Sequence, residues 1–219
     1  MSGFVLKDLL VMKKTIRYYL MIMVVYGVLA VMGVFPYTIV AGFVSLVGMM
    51  TPMSTFSYDE MARWEKYAAA TPAGRRGVVK GKYAFMLLML LGSGAIALAS
   101  LEVMYFLGKG EMESMWEPIA FVASMLGVTL LLNSIILPVL FKYGSEKSRA
   151  ISMVIFLSVF GSMALLGYLS QRGVDLSGIG AALNALNPAV LLALVAAVVL
   201  GGLFLSYRLS LRIYADREL

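Results

Sequence analysis

The 219 residues are 61% apolar and 14% charged, with a mean hydropathy of +0.90, a balance that excludes an ordinary soluble domain. Cysteine and histidine are both absent. Disulfides, thiolate chemistry, metal sites built on either residue and the commonest general base are therefore excluded. The net charge of +6 comes with no finger spacing and no interleaving of aromatic and basic residues, so it does not point to nucleic acid.

In chain order, residues 3–16 come first and read as an amphipathic helix. Val5, Leu9, Met12 and Ile16 recur at spacings of four, three and four, with Lys7, Asp8, Lys13 and Lys14 filling much of the rest. Such a helix lies in the interface, its apolar stripe in acyl chain and its lysines near head groups. The alternative is a charged stop before a span. Six apolar runs follow, at about 18–35, 36–55, 83–107, 117–141, 151–170 and 188–207. Each approaches the roughly 20 residues of helix that a hydrocarbon core requires. The first two meet at Phe35–Pro36 and read as a tight helical hairpin. Uninterrupted runs of this length suit helices far better than barrel strands. The expected fold class is all-α, a polytopic membrane protein with six transmembrane helices in a single domain over 1–219. No short apolar core with a small-residue cleavage site precedes the first span, so no cleaved signal peptide is expected.

Six spans put the N-terminal arm, the 56–82 loop, the 142–150 loop and the C-terminal tail on one side. Sixteen of the eighteen Lys and Arg residues lie there, with Lys109 and Arg172 on the other side. The positive-inside rule then places both termini in the cytoplasm of a plasma membrane. The outward loops, about 108–116 and 171–187, are too short for a folded external domain. In the second of them, Ile179, Leu183 and Leu186 repeat at helical spacing before Pro188 and suggest a short helix dipping into the outer leaflet.

The cytoplasmic 56–82 loop has a clear local code. Ser57 followed by Glu60 reads as a capping box, and Phe56 with Met61 as its hydrophobic staple. Asp59 can pair with Arg63 four residues on. Met61, Trp64 and Ala68 share a face, with Tyr67 beside it, until Thr71–Pro72 ends a helix of about fourteen residues. Two readings are open for its aromatics: anchors in the head-group layer, or a plug for a cytoplasmic partner. The stretch Gly74 to Tyr83 mimics a phosphate-binding loop without its pattern. Arg76 stands where the first glycine is needed, and Tyr83 follows the lysine where a Ser or Thr must hold magnesium. Arg75, Arg76, Lys80 and Lys82 instead suit anionic lipid or an acidic surface.

Few polar residues interrupt the spans. Glu102, near the outer end of the third, reads as a hydrated vestibule lining, as a structural pair with a base such as Lys109, or as a cation or proton site. Asn133 in the fourth span can hydrogen-bond to another helix, and Pro138 bends the same span. Gly92-Ser93-Gly94, Gly161-Ser162 and Gly201-Gly202 mark close backbone approach. The last span runs on through Tyr207, Arg208, Arg212 and Tyr214 into the cytoplasm.

The order of these elements resembles the small six-span permease subunits of ABC-2 type ATP-binding-cassette exporters. The matching stretches are Lys7-Asp8-Leu9-Leu10 with Lys13-Lys14, then Phe56-Ser57-Tyr58-Asp59-Glu60 with Trp64-Glu65-Lys66-Tyr67. Pro72, Arg75, Val79 and Gly81-Lys82-Tyr83 continue the match. The similarity is strongest to the branch that contains bacterial exporters of cytolytic and antimicrobial peptides. The topology covers the whole chain, while residues 4–17 and 56–83 carry the specific sequence.

That resemblance implies a subunit with no ATPase centre and no cofactor of its own. ATP and Mg2+ would sit on a separate cytoplasmic ABC ATPase, and a second permease, identical or paralogous, would complete the path in a bacterial cell membrane. It implies that Phe56, Tyr58, Asp59, Glu60, Trp64 and Glu65 form the coupling segment that seats on the ATPase, supported by the N-terminal helix. An amphipathic peptide or other hydrophobic molecule is the implied substrate. An ATP-independent carrier or channel, and a non-transporting scaffold or immunity component, are the competing classes; neither paired intramembrane charges nor an inverted repeat supports the first.

Overall fold

The computed structural model describes residues 2–34, 38–71, 74–108, 114–172 and 187–216. These are helical almost throughout, and no strand occurs among them. In chain order the helices are α1 (Ser2–Val31), α2 (Thr38–Met61), α3 (Trp64–Ala69), α4 (Gly74–Phe106), α5 (Trp116–Gln171) and α6 (Pro188–Asp216). The Phe35–Pro36 hairpin, Pro72, Lys109 and the short helix expected around Ile179, Leu183 and Leu186 fall outside the described residues.

Among the described residues α1, α4, α5 and α6 are long and apolar enough to cross a bilayer. α5 has 56 residues, roughly 84 Å of helix at 1.5 Å per residue and about twice a bilayer's thickness. It breaks at Gly144, whose φ of 75° and ψ of −177° lie in a region that only glycine occupies readily. Ile155, Phe156 and Val159 beyond the break pack on the same cluster as Ile136, Leu137 and Leu140 before it. α5 is therefore two arms, 116–143 and 145–171, and the second turns back on the first, Ser148 Oγ donating to the Val139 carbonyl at 3.1 Å. With the 24-residue α2, helical segments stand at all six apolar runs. The chain is a multi-pass, all-helical membrane protein.

Helix limits depart from the apolar runs, first at α1 and α4. α1 has no break between its amphipathic arm and its span. The arm's stripe is turned inward: Met12 is buried with Val47, Phe85 and Met89, and Val5, Leu9 and Ile16 pack around them. The expectation that this stripe lies in acyl chain is corrected accordingly, because α2 and α4 offer it a protein surface. α4 starts at Gly74, well before residue 83. The glycines there let helices meet: a Cβ on Gly81 would stand 2.7 Å from Phe4 Cβ.

The bundle's centre is set by a proline. Pro52 sits inside α2 and has no N–H to give the carbonyl four residues back, that of Gly48. Asn133 Nδ2, buried on α5, donates to the Gly48 carbonyl at 3.2 Å and to the Thr129 carbonyl at 3.0 Å. The approach depends on the missing side chain at Gly48, where a Cβ would meet Leu90 and Thr129 atoms at 2.8 Å. In lipid an orphaned carbonyl is costly, so α5 supplies what Pro52 removes from α2. Asn133 thus serves the interhelical role expected of it, with a backbone carbonyl as its partner.

Candidate functional site

The basic end of the bundle is built around the α2–α3 elbow. α2 runs through the expected capping box to Met61, and Ser57 lies inside it, donating to the Met53 carbonyl at 3.0 Å. The chain then turns at Arg63, whose φ of 49° is left-handed, and α3 follows with only six residues. The fourteen-residue helix expected over 57–70 is thus the last turn of α2, an elbow and a short α3. Nothing halts α2 at Phe56, because its apolar face continues there onto Phe141 and the first polar turn finds partners on other helices.

Asp59 is one of those polar residues. Its carboxylate meets Lys7 Nζ at 2.5 Å and Lys82 Nζ at 2.6 Å. Asp8 meets the same two ammoniums, at 2.8 and 3.1 Å. Two carboxylates and two ammoniums thus alternate in a closed ring that joins α1, α2 and α4. The side chains of Asp8, Lys82 and Asp59 are 3%, 5% and 9% exposed, too enclosed for water to compensate any one of them. Each ammonium also lies over an aromatic ring, Lys7 over Trp64 at 5.1 Å and Lys82 over Phe56 at 5.0 Å. The ring is neutral as a whole. Removing one member of such a buried set leaves a charge unpaired, at a cost of about 3–5 kcal/mol.

Glu60, the next residue, ties in a fourth segment. Its carboxylate accepts from the Ser145 backbone N–H at 2.7 Å and from the Ser145 hydroxyl. It thereby caps the first turn of the second α5 arm, where backbone N–H groups have no helical partner. Gly144 is where the two elements touch: a Cβ there would stand 2.5 Å from Glu60 Oε1. Arg149 on the same arm donates to Ser57 Oγ at 3.0 Å. Adjacent carboxylates on α2 therefore reach opposite neighbours, Asp59 to α1 and α4, Glu60 to α5.

The coupling segment expected from sequence divides into two faces. Phe56 is buried, edge-on to Phe141 at 4.8 Å, and Trp64 is half-buried against the same core. Asp59 and Glu60 are engaged as described, with Lys7 and Lys82 taking the place foreseen for Arg63. Glu65 is half-buried, and Tyr58 is exposed. The outward face consists of Tyr58 with Met61 and Tyr67, the last two 82% and 67% exposed.

Of the four cations assigned to anionic lipid, Lys82 is in the buried ring, and that assignment is corrected. Arg75 is half-buried and donates to the Ala215 carbonyl at the end of α6; Arg76 and Lys80 are exposed. Glu102 is half-buried one turn before the end of α4.

Lys7, Asp8, Gly144 and Ser145 were not singled out by sequence reasoning as site residues. One signal was present: Asp8 and Lys82 are charges at the edge of apolar patterns, where only a partner on another helix makes burial tolerable. Behind the ring the α6 extension is fastened too. Tyr83 Oη shares hydrogen bonds with Ser206 Oγ at 2.6 Å and Ser210 Oγ at 2.9 Å, and Tyr214 is buried against Phe141.

Compared with known proteins, residues 3–215 match a family model described as ABC-2 family transporter protein. No curated protein and no solved structure matches the chain.

Proposed function

The chain belongs to the ABC-2 family of transporter proteins, and from that premise we propose that it is the membrane subunit of an ATP-driven exporter. A separate cytoplasmic ABC ATPase, holding the ATP and Mg2+, seats on the outward face of the α2–α3 elbow. A second permease, identical or paralogous, completes the path, and an amphipathic peptide or other hydrophobic molecule leaves by it. Both termini are cytoplasmic, on the side that carries sixteen of the eighteen basic residues.

The observation that carries this reading is the division of residues 56–67 into an inward face fixed to three other helices and an outward face that leaves large side chains uncovered. Met61 and Tyr67 project from a segment whose neighbours Asp59 and Glu60 are tied to α1, α4 and α5. A push on the elbow is then delivered to four membrane segments together. Such uncovered aromatic and methionine side chains are the residue types that anchor protein interfaces.

The test is reconstitution of this chain in lipid discs and co-purification with the ABC ATPases of the same cell. Tyr67→Ala should cost about 2 kcal/mol of partner affinity, roughly thirtyfold, with no change in the thermal midpoint of the permease alone. Trp64→Ala should lower that midpoint, because Trp64 faces Lys7 and the core. Unchanged partner affinity in Tyr67→Ala and Met61→Ala would remove the elbow from the docking surface.

A further inference from the structure

Beside the elbow, the start of α4 and the end of α6 enclose an open groove of about 1100 Å³ that the transport reading does not use. Its rim carries Arg76 and Lys80 from α4 and Arg208 and Arg212 from α6, all exposed. Among the described residues none of these four lies in an ion pair, and no carboxylate lines the groove. Both pairs are spaced four residues apart, so each puts like charges one turn apart on a helix, an arrangement that destabilises the helix unless an anion sits between them. The two helices are tied together beside it, where Arg75 donates to the Ala215 carbonyl.

The groove changes character along α6. Arg212 and Arg208 line it toward the basic end of α6, and Phe204 and Leu205, 57% and 69% exposed, line it toward the apolar run. From Arg212 to Phe204 the helix advances about 12 Å, from the basic end into the apolar run of the last span. Arg208 lies over the Phe204 ring at 5.2 Å, which places its guanidinium against the apolar lining. We propose that this groove binds one anionic phospholipid of the cytoplasmic leaflet, its phosphate among the four cations and an acyl chain on Phe204 and Leu205. The charge selects an anion, and the apolar lining selects one with an apolar tail. A soluble partner cannot cover side chains that lie within a membrane span. A second copy of this chain would bring the same four cations to its own rim, and like charges would oppose each other.

The proposal is independent of the ATPase reading and is tested on the purified full chain in detergent by native mass spectrometry. Phosphatidylglycerol, phosphatidylcholine of the same acyl chains, and soluble glycerol phosphate are the three probes. Phosphatidylglycerol should bind in one copy and more tightly than either of the others. Arg208→Gln/Arg212→Gln should weaken it by roughly thirtyfold, whereas Arg208→Lys/Arg212→Lys should retain most of the affinity. Lys13→Gln/Lys14→Gln removes the same charge from exposed positions on α1 and should change binding by less than about twofold. If the arginine pair proves needed for folding, Arg76→Gln/Lys80→Gln reads the same site from α4. Equal binding of phosphatidylcholine, equal binding of glycerol phosphate, or an equal loss in the Lys13/Lys14 variant would each overturn it.

Discussion

The basic end of the bundle and its membrane-embedded centre are held by different physics. At the basic end, chemical identity decides the contacts: Lys7, Asp8, Asp59 and Lys82 alternate around a closed ring, and Glu60 caps the α5 arm through Ser145. In the centre, shape decides: Met23, Leu90, Ala97, Leu101 and Val122 fill one apolar cluster. A polar link between helices there is Asn133 on the Gly48 carbonyl. A lipid-facing centre gains little from burial against protein, since acyl chains are as apolar as leucine. Charged groups near the interface are in the opposite position, because each one enclosed without a partner costs several kcal/mol. The lesson is that the precise relative placement of these helices is fixed where the molecule meets water, at the end that the elbow occupies.

The largest effect should come from unbalancing the ring. Asp59→Asn leaves two ammoniums with one carboxylate and should destabilise the detergent-solubilised chain by about 3–5 kcal/mol, seen as a fall in thermal midpoint and in monodisperse yield. Adding Lys82→Met to Asp59→Asn removes the excess charge, leaves the Lys7–Asp8 pair and should recover much of the loss. No recovery would mean that the ring acts through packing alone.

Next in size is Gly144→Ala. The left-handed, extended backbone there costs a non-glycine residue about 1–3 kcal/mol, and the new Cβ meets Glu60 at 2.5 Å. The thermal midpoint should fall. Glu60→Ala in the same chain should relieve part of the Gly144→Ala penalty, since the atom in the way is the glutamate's own. Strictly additive losses would detach the cap from the break in α5.

The smallest effect belongs to the centre. Asn133→Leu leaves the Gly48 carbonyl without its cross-helix donor and should cost about 0.6–1.7 kcal/mol, the range of such bonds in membranes. Pro52→Ala restores an N–H to that carbonyl, so the cost of Asn133→Leu should shrink in the Pro52→Ala background. An unchanged cost would show that Asn133 acts through its other contacts. A loss rivaling that of Asp59→Asn would erase the contrast between the two regions.

Much of this was legible in the sequence, and the reason differs by element. Long apolar runs dictate spanning helices because the bilayer leaves the backbone no other partner, so the all-helical class follows from composition and run length. Helix limits were less accessible. Ser57 and Glu60 have the spacing of a capping box, yet Glu60 caps α5, 85 residues away, and α2 runs on to Met61. Local codes describe what a segment can do alone; a long-range partner outbids them. Likewise the resemblance gathers Phe56, Asp59 and Trp64 into one segment, but which of them face inward depends on where α1 and α4 lie. Lys82 is the clearest case. Beside Lys80 it reads as another cation for lipid, and only the position of Asp8 and Asp59 makes it a buried member of a ring.

The central claim is that the ring and the Glu60 cap make the elbow and the membrane helices one rigid unit. The chain has no cysteine, so spin labels can be placed on cysteines introduced at exposed Lys66 on α3 and exposed Lys147 on the second α5 arm. Electron–electron double resonance between them, in lipid discs, reads the tie between elbow and arm directly. The account predicts one narrow distance distribution in the otherwise native chain and a broad one when Asp59→Asn and Glu60→Gln are added. Equal widths in the two proteins would contradict it.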